Sequence, residues 1–79
     1  MELNDFVALF AAQFDETPNE QFSAGANFRE FDEWSSLTAL SVIAMVDDEF
    51  DVQLNGDDIR NAATIEDIFN TVKSRLDGA

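Results

Sequence analysis

The hydrophobic and polar positions of residues 32–51 predict an amphipathic helix over about 36–50, with two distinct faces. Between residues 36 and 51, apolar side chains recur at intervals of three and four, which is the spacing of a core-facing helix stripe. The stripe consists of Ala39, Val42, Ile43, Val46 and Phe50. The opposite face is apolar at its start and acidic at its end, and it consists of Leu37, Leu40, Ser41, Ala44, Asp48 and Asp51. A helix that only filled a core would need one stripe, so the second face indicates a contact surface.

The two ends of this helix carry different polar residues. Ser35 or Ser36 can provide the N-cap, because a serine oxygen accepts a hydrogen bond from a backbone N–H of the first turn. The last turn contains Asp47, Asp48 and Glu49, beside the negative end of the helix dipole. Each exposed acid there costs about 0.3–1 kcal/mol of stability. Their position therefore favours a role in binding a partner.

The same periodicity predicts two further long helices. Residues 4–14 form the first, with Asn4 as its cap and an apolar side made of Leu3, Phe6, Val7, Phe10 and Phe14. The last helix begins after residue 64 with a capping-box-like pattern, and its apolar stripe consists of Ile65, Ile68, Phe69, Val72 and Leu76. A short helix is predicted at 57–61, in the connection before it. The fold class is therefore all-α: one domain over residues 1–79, a small bundle of three main helices plus a short helix in the second connection.

The connection between the first two helices contains four large aromatic residues. They are Phe22, Phe28, Phe31 and Trp34. Leaving each of them in water would forgo roughly 1.5–3 kcal/mol. We therefore expect an irregular loop that packs against the helix ends, with a short helical turn near 20–22 and a bend at Gly25.

Composition narrows the classes of function. The chain has 79 residues and a net charge of −13, with 46% hydrophobic residues and no Cys or His. Disulfides, imidazole bases and the usual zinc sites are therefore excluded. The negative charge disfavours nucleic acid and anionic membranes and favours partners with basic patches. No apolar run reaches the length of a membrane span and no leader pattern is present, so we expect a cytoplasmic monomer without membrane insertion.

The residues disfavour both a calcium-binding loop and a catalytic serine. Residues 51–56 resemble the start of a calcium-binding loop, but Ala62 stands where the twelfth position requires a bidentate Glu. Ser35 and Ser36 have no His or Cys to activate them, so no enzyme activity is expected. A serine at a helix N-terminus can still be acted upon, because the positive end of the dipole favours a negatively charged substituent. On the residues alone, a simple capping role is the favoured interpretation, because a serine at this place usually only caps the helix.

Over essentially its whole length the sequence resembles the phosphopantetheine carrier proteins, most closely the free-standing acyl carrier proteins of fatty acid synthesis. The early amphipathic helix, the long loop, the pair Ser36-Leu37, and the acidic run 47–49 followed by Phe50-Asp51 carry the resemblance. The Thr-Ile-Glu-Asp start of the last helix and the scarcity of basic residues also fit.

The resemblance implies a covalent cofactor and a set of partners. It assigns 4′-phosphopantetheine, transferred from coenzyme A, to Ser36, with Ser35 as the less favoured alternative. The partners it implies are a phosphopantetheinyl transferase and acyl-processing enzymes with basic docking patches. The residues expected to bind them are Leu37, Leu40, Asp47, Asp48 and Asp51. A pocket for the acyl chain is expected near Leu54, Ile59 and Ala63.

The chain departs from the family pattern in two places. Most members have Asp before the modified serine, where this chain has Ser35, and many have acids early in the second helix, where this chain has Thr38 and Ser41. These departures leave two alternatives to a carrier in fatty acid synthesis. One is a carrier for polyketide, aryl or aminoacyl groups, and the other is an unmodified acidic adaptor with the same fold.

Overall fold

Helices account for all the regular secondary structure in the part of the chain that the structure describes. The structure is a computed structural model that describes residues 2–78. Its α-helices are α1 (Leu3–Ala11), α2 (Ser36–Phe50), α3 (Gly56–Asn61) and α4 (Ile65–Gly78). Two 3₁₀ helices, Asn19–Gln21 and Phe28–Glu30, lie in the connection between α1 and α2. The predicted all-α bundle of three main helices and one short helix is confirmed.

The core is formed where α1, α2 and α4 pack against one another. Its fully buried side chains come from all three helices and from the long connection, and they include Phe6, Phe10, Phe28, Val42, Val46, Ile65 and Val72. The apolar stripe of α2 faces this core as predicted, with Ala39, Ile43 and Phe50 partly buried at its edges. Met45 is also buried, although it lies outside the predicted stripe.

The aromatic side chains of the long connection pack on the end of α1. The Trp34 ring lies 4.6 Å from Phe28 in an edge-to-face arrangement, and Phe22 lies 4.9 Å from Phe31. Trp34 also stacks on Phe10, at a centroid distance of 6.4 Å and an interplanar angle of 9°. The prediction of a packed, irregular connection is therefore confirmed, and apolar burial holds the segment just before α2.

Three details of the predicted helices are wrong. Helix α1 begins one residue before Asn4, so this side chain cannot cap it; Glu2 occupies the N-cap position without a side-chain hydrogen bond. The helix ends at Ala11, because the N–H groups of Gln13 and Phe14 bond to carbonyls three residues back and tighten the chain into turns. Leu76 is 43% exposed, so the apolar stripe of α4 reaches solvent in its last turn.

Helix α3 is fixed by polar contacts that cross between elements. Asn55 and Asp58 form a reciprocal capping box at its start. The Arg75 guanidinium donates to both carboxylate oxygens of Asp58 at 2.7 Å and to the Gln53 carbonyl at 3.0 Å. The Arg29 guanidinium donates to the carbonyls of residues 59 and 60 at the end of α3. Two arginines thus hold opposite ends of the shortest helix.

Replacing Asp58 with Asn is expected to destabilise the fold in a pH-dependent way. Arg75, and less strongly the Asn55 N–H, lower the pKa of Asp58. A lowered folded-state pKa contributes stability above the unfolded value, near 3.9, that is lost as the pH falls through the folded value. We expect Asp58→Asn to cost about 1–2 kcal/mol at pH 7 in urea denaturation, and the difference from wild type to shrink below about pH 4.

Asp57→Asn is the matched control for this change, since it removes the same charge from the adjacent position. Its ion pair with Arg60 is exposed on both sides, so the loss should stay below about 0.5 kcal/mol. Equal losses in the two variants, or a difference from wild type that persists unchanged at pH 3, would contradict the assignment.

Candidate functional site

The two adjacent serines at the start of α2 have different roles in the structure. Ser35 is the N-cap: its backbone is extended, and its hydroxyl oxygen accepts a hydrogen bond from the Thr38 N–H at 3.3 Å. Ser36 is the first residue of the helix and is exposed to solvent. Its side chain makes no hydrogen bond to any described residue. Capping therefore occupies Ser35 and leaves the Ser36 hydroxyl available.

The surroundings of Ser36 suit a negatively charged substituent. Helix α2 spans 15 residues, and its first turn contains no acidic side chain. The N–H groups of a first turn have no partners within the helix, and the positive end of the dipole lies beside them. In a chain with a net charge of −13, this is a local environment in which a phosphodiester would be stabilised.

The exposed face of α2 combines apolar and acidic side chains. Leu37 is 77% exposed and Leu40 is 60% exposed, and at a spacing of three residues they are neighbours on the surface of α2. The acidic side chains of Asp47, Asp48 and Asp51 are exposed towards the other end of the helix. Asp51 ends α2 in a left-handed conformation, with φ 56°, which Asp tolerates better than most residues. All five predicted partner-binding residues are therefore accessible.

A surface cleft of about 410 Å³ is lined by Ser35 and Ser36 and by residues of α2 and α3. Its apolar lining comprises Trp34, Ala39, Leu40, Ile43 and Ile59, and Arg29 and Arg60 lie on it as well. Of the three residues predicted near an acyl pocket, Ile59 lines this cleft. Leu54 is buried in the core and Ala63 is exposed elsewhere. An acyl pocket at these three residues stays a prediction.

Sequence reasoning missed the carboxylate of Glu33, three residues before Ser36. It accepts hydrogen bonds from the backbone N–H groups of Asp15, Glu16 and Thr17 at 2.5–2.9 Å, and from the Thr17 hydroxyl at 2.6 Å. The Thr17 hydroxyl and these N–H groups lower the pKa of Glu33, although partial removal from water acts in the opposite direction. No local pattern could have found this contact, because its partners lie 16–18 residues away.

The cations of the cleft were also missed. Arg29 and Arg60 are two of only four basic residues in the chain. Their scarcity was the signal that could have drawn attention to them.

Comparison with known families shows which family the chain belongs to. Residues 4–72 match the sequence model of the family described as phosphopantetheine attachment site. The chain belongs to this family. No curated protein and no solved structure gave a significant match.

Membership in the phosphopantetheine attachment site family makes this an acyl carrier-type protein, and the family carries covalently attached 4′-phosphopantetheine. Domains of this family are generally non-catalytic carriers that deliver their cargo to partner enzymes. Within residues 2–78, no helix combines the length and apolar character needed to cross a bilayer. Nor do the described residues bring three metal-binding side chains together, and Asp58, in the segment that resembles a calcium-binding loop, caps α3 with Asn55.

Proposed function

We propose that this carrier holds acyl groups as thioesters on an arm attached to Ser36 and delivers them to enzymes of fatty acid or related lipid biosynthesis. The observation that carries the proposal is that the two serines differ in their contacts: Ser35 caps α2, whereas Ser36 has a free, exposed hydroxyl. Residues 1–79 then form a single carrier domain, which we propose to act as a cytoplasmic monomer.

In this proposal the chain provides an attachment point and a docking surface. The Ser36 oxygen forms a bond to the phosphorus next to pantetheine in coenzyme A, while the pyrophosphate bond breaks and adenosine 3′,5′-bisphosphate leaves. The serine proton passes to a base of the transferase, because the chain has no His and the described residues place no such base beside Ser36. Once attached, the arm supplies the thiol that the cysteine-free chain lacks.

Docking would use the exposed face of α2. Leu37 and Leu40 lie next to the attachment serine and offer apolar contact, and the acids at 47, 48 and 51 offer charge. Complementary charge speeds encounter and fixes orientation more than it adds affinity. This arrangement therefore presents Ser36 to any enzyme whose basic patch lies at the matching distance from its active site.

The proposal is tested by loading the purified protein. We expect that incubation with coenzyme A, Mg²⁺ and a broad-specificity phosphopantetheinyl transferase adds the mass of one phosphopantetheine group. Fragmentation of the modified peptide should place that group on Ser36. No gain in mass, under conditions that fully modify a control carrier, would contradict the proposal and would favour an unmodified acidic adaptor.

Charge reversal on α2 is expected to weaken docking without harming the fold. Asp48→Lys should raise the KM of the transferase for this carrier about tenfold at low salt, with a smaller effect at high salt. The change places a cation near the C-terminal end of a helix, so the melting temperature should not fall.

Asp77→Lys is the matched control for docking, because it makes the same charge change near the end of α4. Its KM should stay close to that of wild type. Equal effects of the two substitutions would mean that net charge alone, and not the α2 surface, governs the encounter.

A carrier for polyketide, aryl or aminoacyl groups is the second candidate. It is favoured by Ser35 in place of the usual Asp and by an acidic surface that begins only at Asp47. Loading at Ser36 is common to both candidates. They are distinguished by offering the loaded carrier to ligases for fatty, aromatic and amino acids and comparing the rates of acylation.

A further inference from the structure

The side chain of Glu33 connects the end of α1 with the segment that leads to the attachment serine. Its carboxylate accepts hydrogen bonds from three successive backbone N–H groups and one hydroxyl of residues 15–17. A carboxylate can accept about this many hydrogen bonds, and bonds to an ionised acceptor are stronger than neutral ones. The turn after α1 is thus closed around one charged group.

The main chain of the same residue contacts the first turn of α2. The Thr38 hydroxyl donates to the Glu33 carbonyl at 2.8 Å, while the Thr38 N–H donates to the Ser35 hydroxyl. Hydrogen bonds therefore run without a break from residues 15–17, through Glu33, to Thr38. Ser36 lies inside the loop of chain that these bonds close.

The segment from residue 31 to residue 35 has no helix or strand to hold it. Its apolar anchors are Phe31, which packs on Phe14 and Phe22, and Trp34, which packs on Phe10 and Phe28. These rings fix the depth of the segment against the core, but apolar contacts are not directional and tolerate small shifts along the surface. The directional bonds at Glu33 remove that freedom. Since attack by a hydroxyl requires placement within a fraction of an ångström, such freedom matters at Ser36.

We propose that Glu33 is a positioning residue for the attachment serine: by joining residues 15–17 to the first turn of α2, it fixes the position of the Ser36 backbone, and hence where the hydroxyl is presented to a docked transferase. This rests on the proposed attachment at Ser36. Glu33 lies apart from the acids of the docking surface and acts through the backbone, so its removal affects the chemical step and not the encounter.

The test compares Glu33→Gln with Asp32→Asn. The Gln amide can keep an acceptor oxygen at one carboxylate position, but it places an N–H₂ group against the Asp15 N–H and removes the charge, which weakens the arrangement. Asp32 is exposed and makes no hydrogen bond to a described residue, so its replacement removes the same charge from the adjacent position without that loss. In loading kinetics we expect Glu33→Gln to lower kcat about tenfold with KM unchanged within about twofold, and Asp32→Asn to resemble wild type.

The kinetic pattern separates positioning from simple instability. If Glu33→Gln only caused a fraction of the carrier molecules to unfold, the transferase would meet a lower concentration of folded substrate. The apparent KM would then rise, and kcat would be unchanged. That pattern, or a kcat equal to that of Asp32→Asn, would overturn the proposal.

Hydrogen exchange provides a readout without the transferase. Amides of residues 34–38 should exchange faster in Glu33→Gln than in Asp32→Asn, while the centre of α4 stays protected. Unchanged exchange at 34–38 would overturn the proposal even if loading were slow. If wild type were never loaded, the proposed attachment at Ser36 would fail, and exchange would still decide whether Glu33 orders this segment.

A milder pair of variants covers the case in which Glu33→Gln does not fold. Thr17→Val removes one of the four hydrogen bonds to the carboxylate, and Thr17→Ser keeps it. We expect Thr17→Val to lower kcat in the same direction but by a smaller factor, and Thr17→Ser to restore it. Equal kcat values for the two Thr17 variants would overturn the proposal.

Discussion

Ser36→Ala is expected to abolish attachment of the phosphopantetheine arm, whereas Ser35→Ala is expected to retain it. Removal of the Ser36 oxygen leaves no nucleophile at the first position of α2, because the Ser35 hydroxyl is engaged with the backbone of Thr38. Intact mass after incubation with coenzyme A and the transferase measures the outcome directly. We expect no product from Ser36→Ala, even at long times and high enzyme concentration.

Ser35→Ala also tests the capping role of Ser35, which is distinct from attachment of the arm. Loss of an N-cap costs about 0.5–2 kcal/mol, so this variant should melt at a lower temperature and still be modified. Ser36→Ala should keep its stability, because the Ser36 side chain makes no hydrogen bond to a described residue. The reverse pattern, with loading lost in Ser35→Ala and kept in Ser36→Ala, would move the arm to Ser35.

Ser35→Asp extends this comparison, since it introduces the residue that most members of the family have at this position. An Asp can cap α2 as well as a Ser and adds a favourable charge at the helix start. Faster loading of Ser35→Asp, at a melting temperature close to that of wild type, would show that Ser35 weakens recognition by the transferase and not the fold.

The helices could be predicted from the sequence because they follow from local periodicity. The bounds of α2 are as predicted, because the signals that define this helix are local: its apolar stripe, its capping serine and its acidic end all lie within residues 35–51. Helix α1 is shorter than its apolar pattern. Phe14 continues the pattern but is buried from a turn after the helix, so spacing alone could not distinguish a helical residue from a packed turn.

The polar contacts that orient the site could not be predicted in this way. Glu33 bonds to residues 15–17, Arg29 to the end of α3, and Arg75 to Gln53 and Asp58, all across 16 or more positions of the chain. Such pairs depend on how the helices meet, which the sequence pattern does not specify. The proposed attachment serine is a local feature, and the preference for Ser36 over Ser35 rests on the geometry of one N-cap.

Phe10→Ala is expected to destabilise the fold far more than the loss of a helix cap or an ion pair does. Phe10 is fully buried, and its ring contacts aromatic residues from α1 and the long connection: Phe6, Phe14, Phe22, Phe28 and Trp34. Truncation of a buried Phe to Ala costs about 3–5 kcal/mol, because it removes apolar burial and leaves a cavity. A domain of this size has about 4–12 kcal/mol in total, so much of the stability would be lost.

This loss should reach the proposed attachment site through Trp34, which lies two residues before Ser36 and whose ring stacks on Phe10. Urea denaturation followed by circular dichroism measures the free energy of unfolding, with Phe10→Leu and Leu37→Ala as comparisons. Phe10→Leu keeps most of the volume and should lose less than Phe10→Ala. Leu37 is 77% exposed, so its truncation should cost less than about 0.5 kcal/mol. A Phe10→Ala variant as stable as Leu37→Ala would mean that the aromatic residues of the long connection do not depend on α1 for their packing, and that Ser36 is held by Glu33 and the cap of α2 alone.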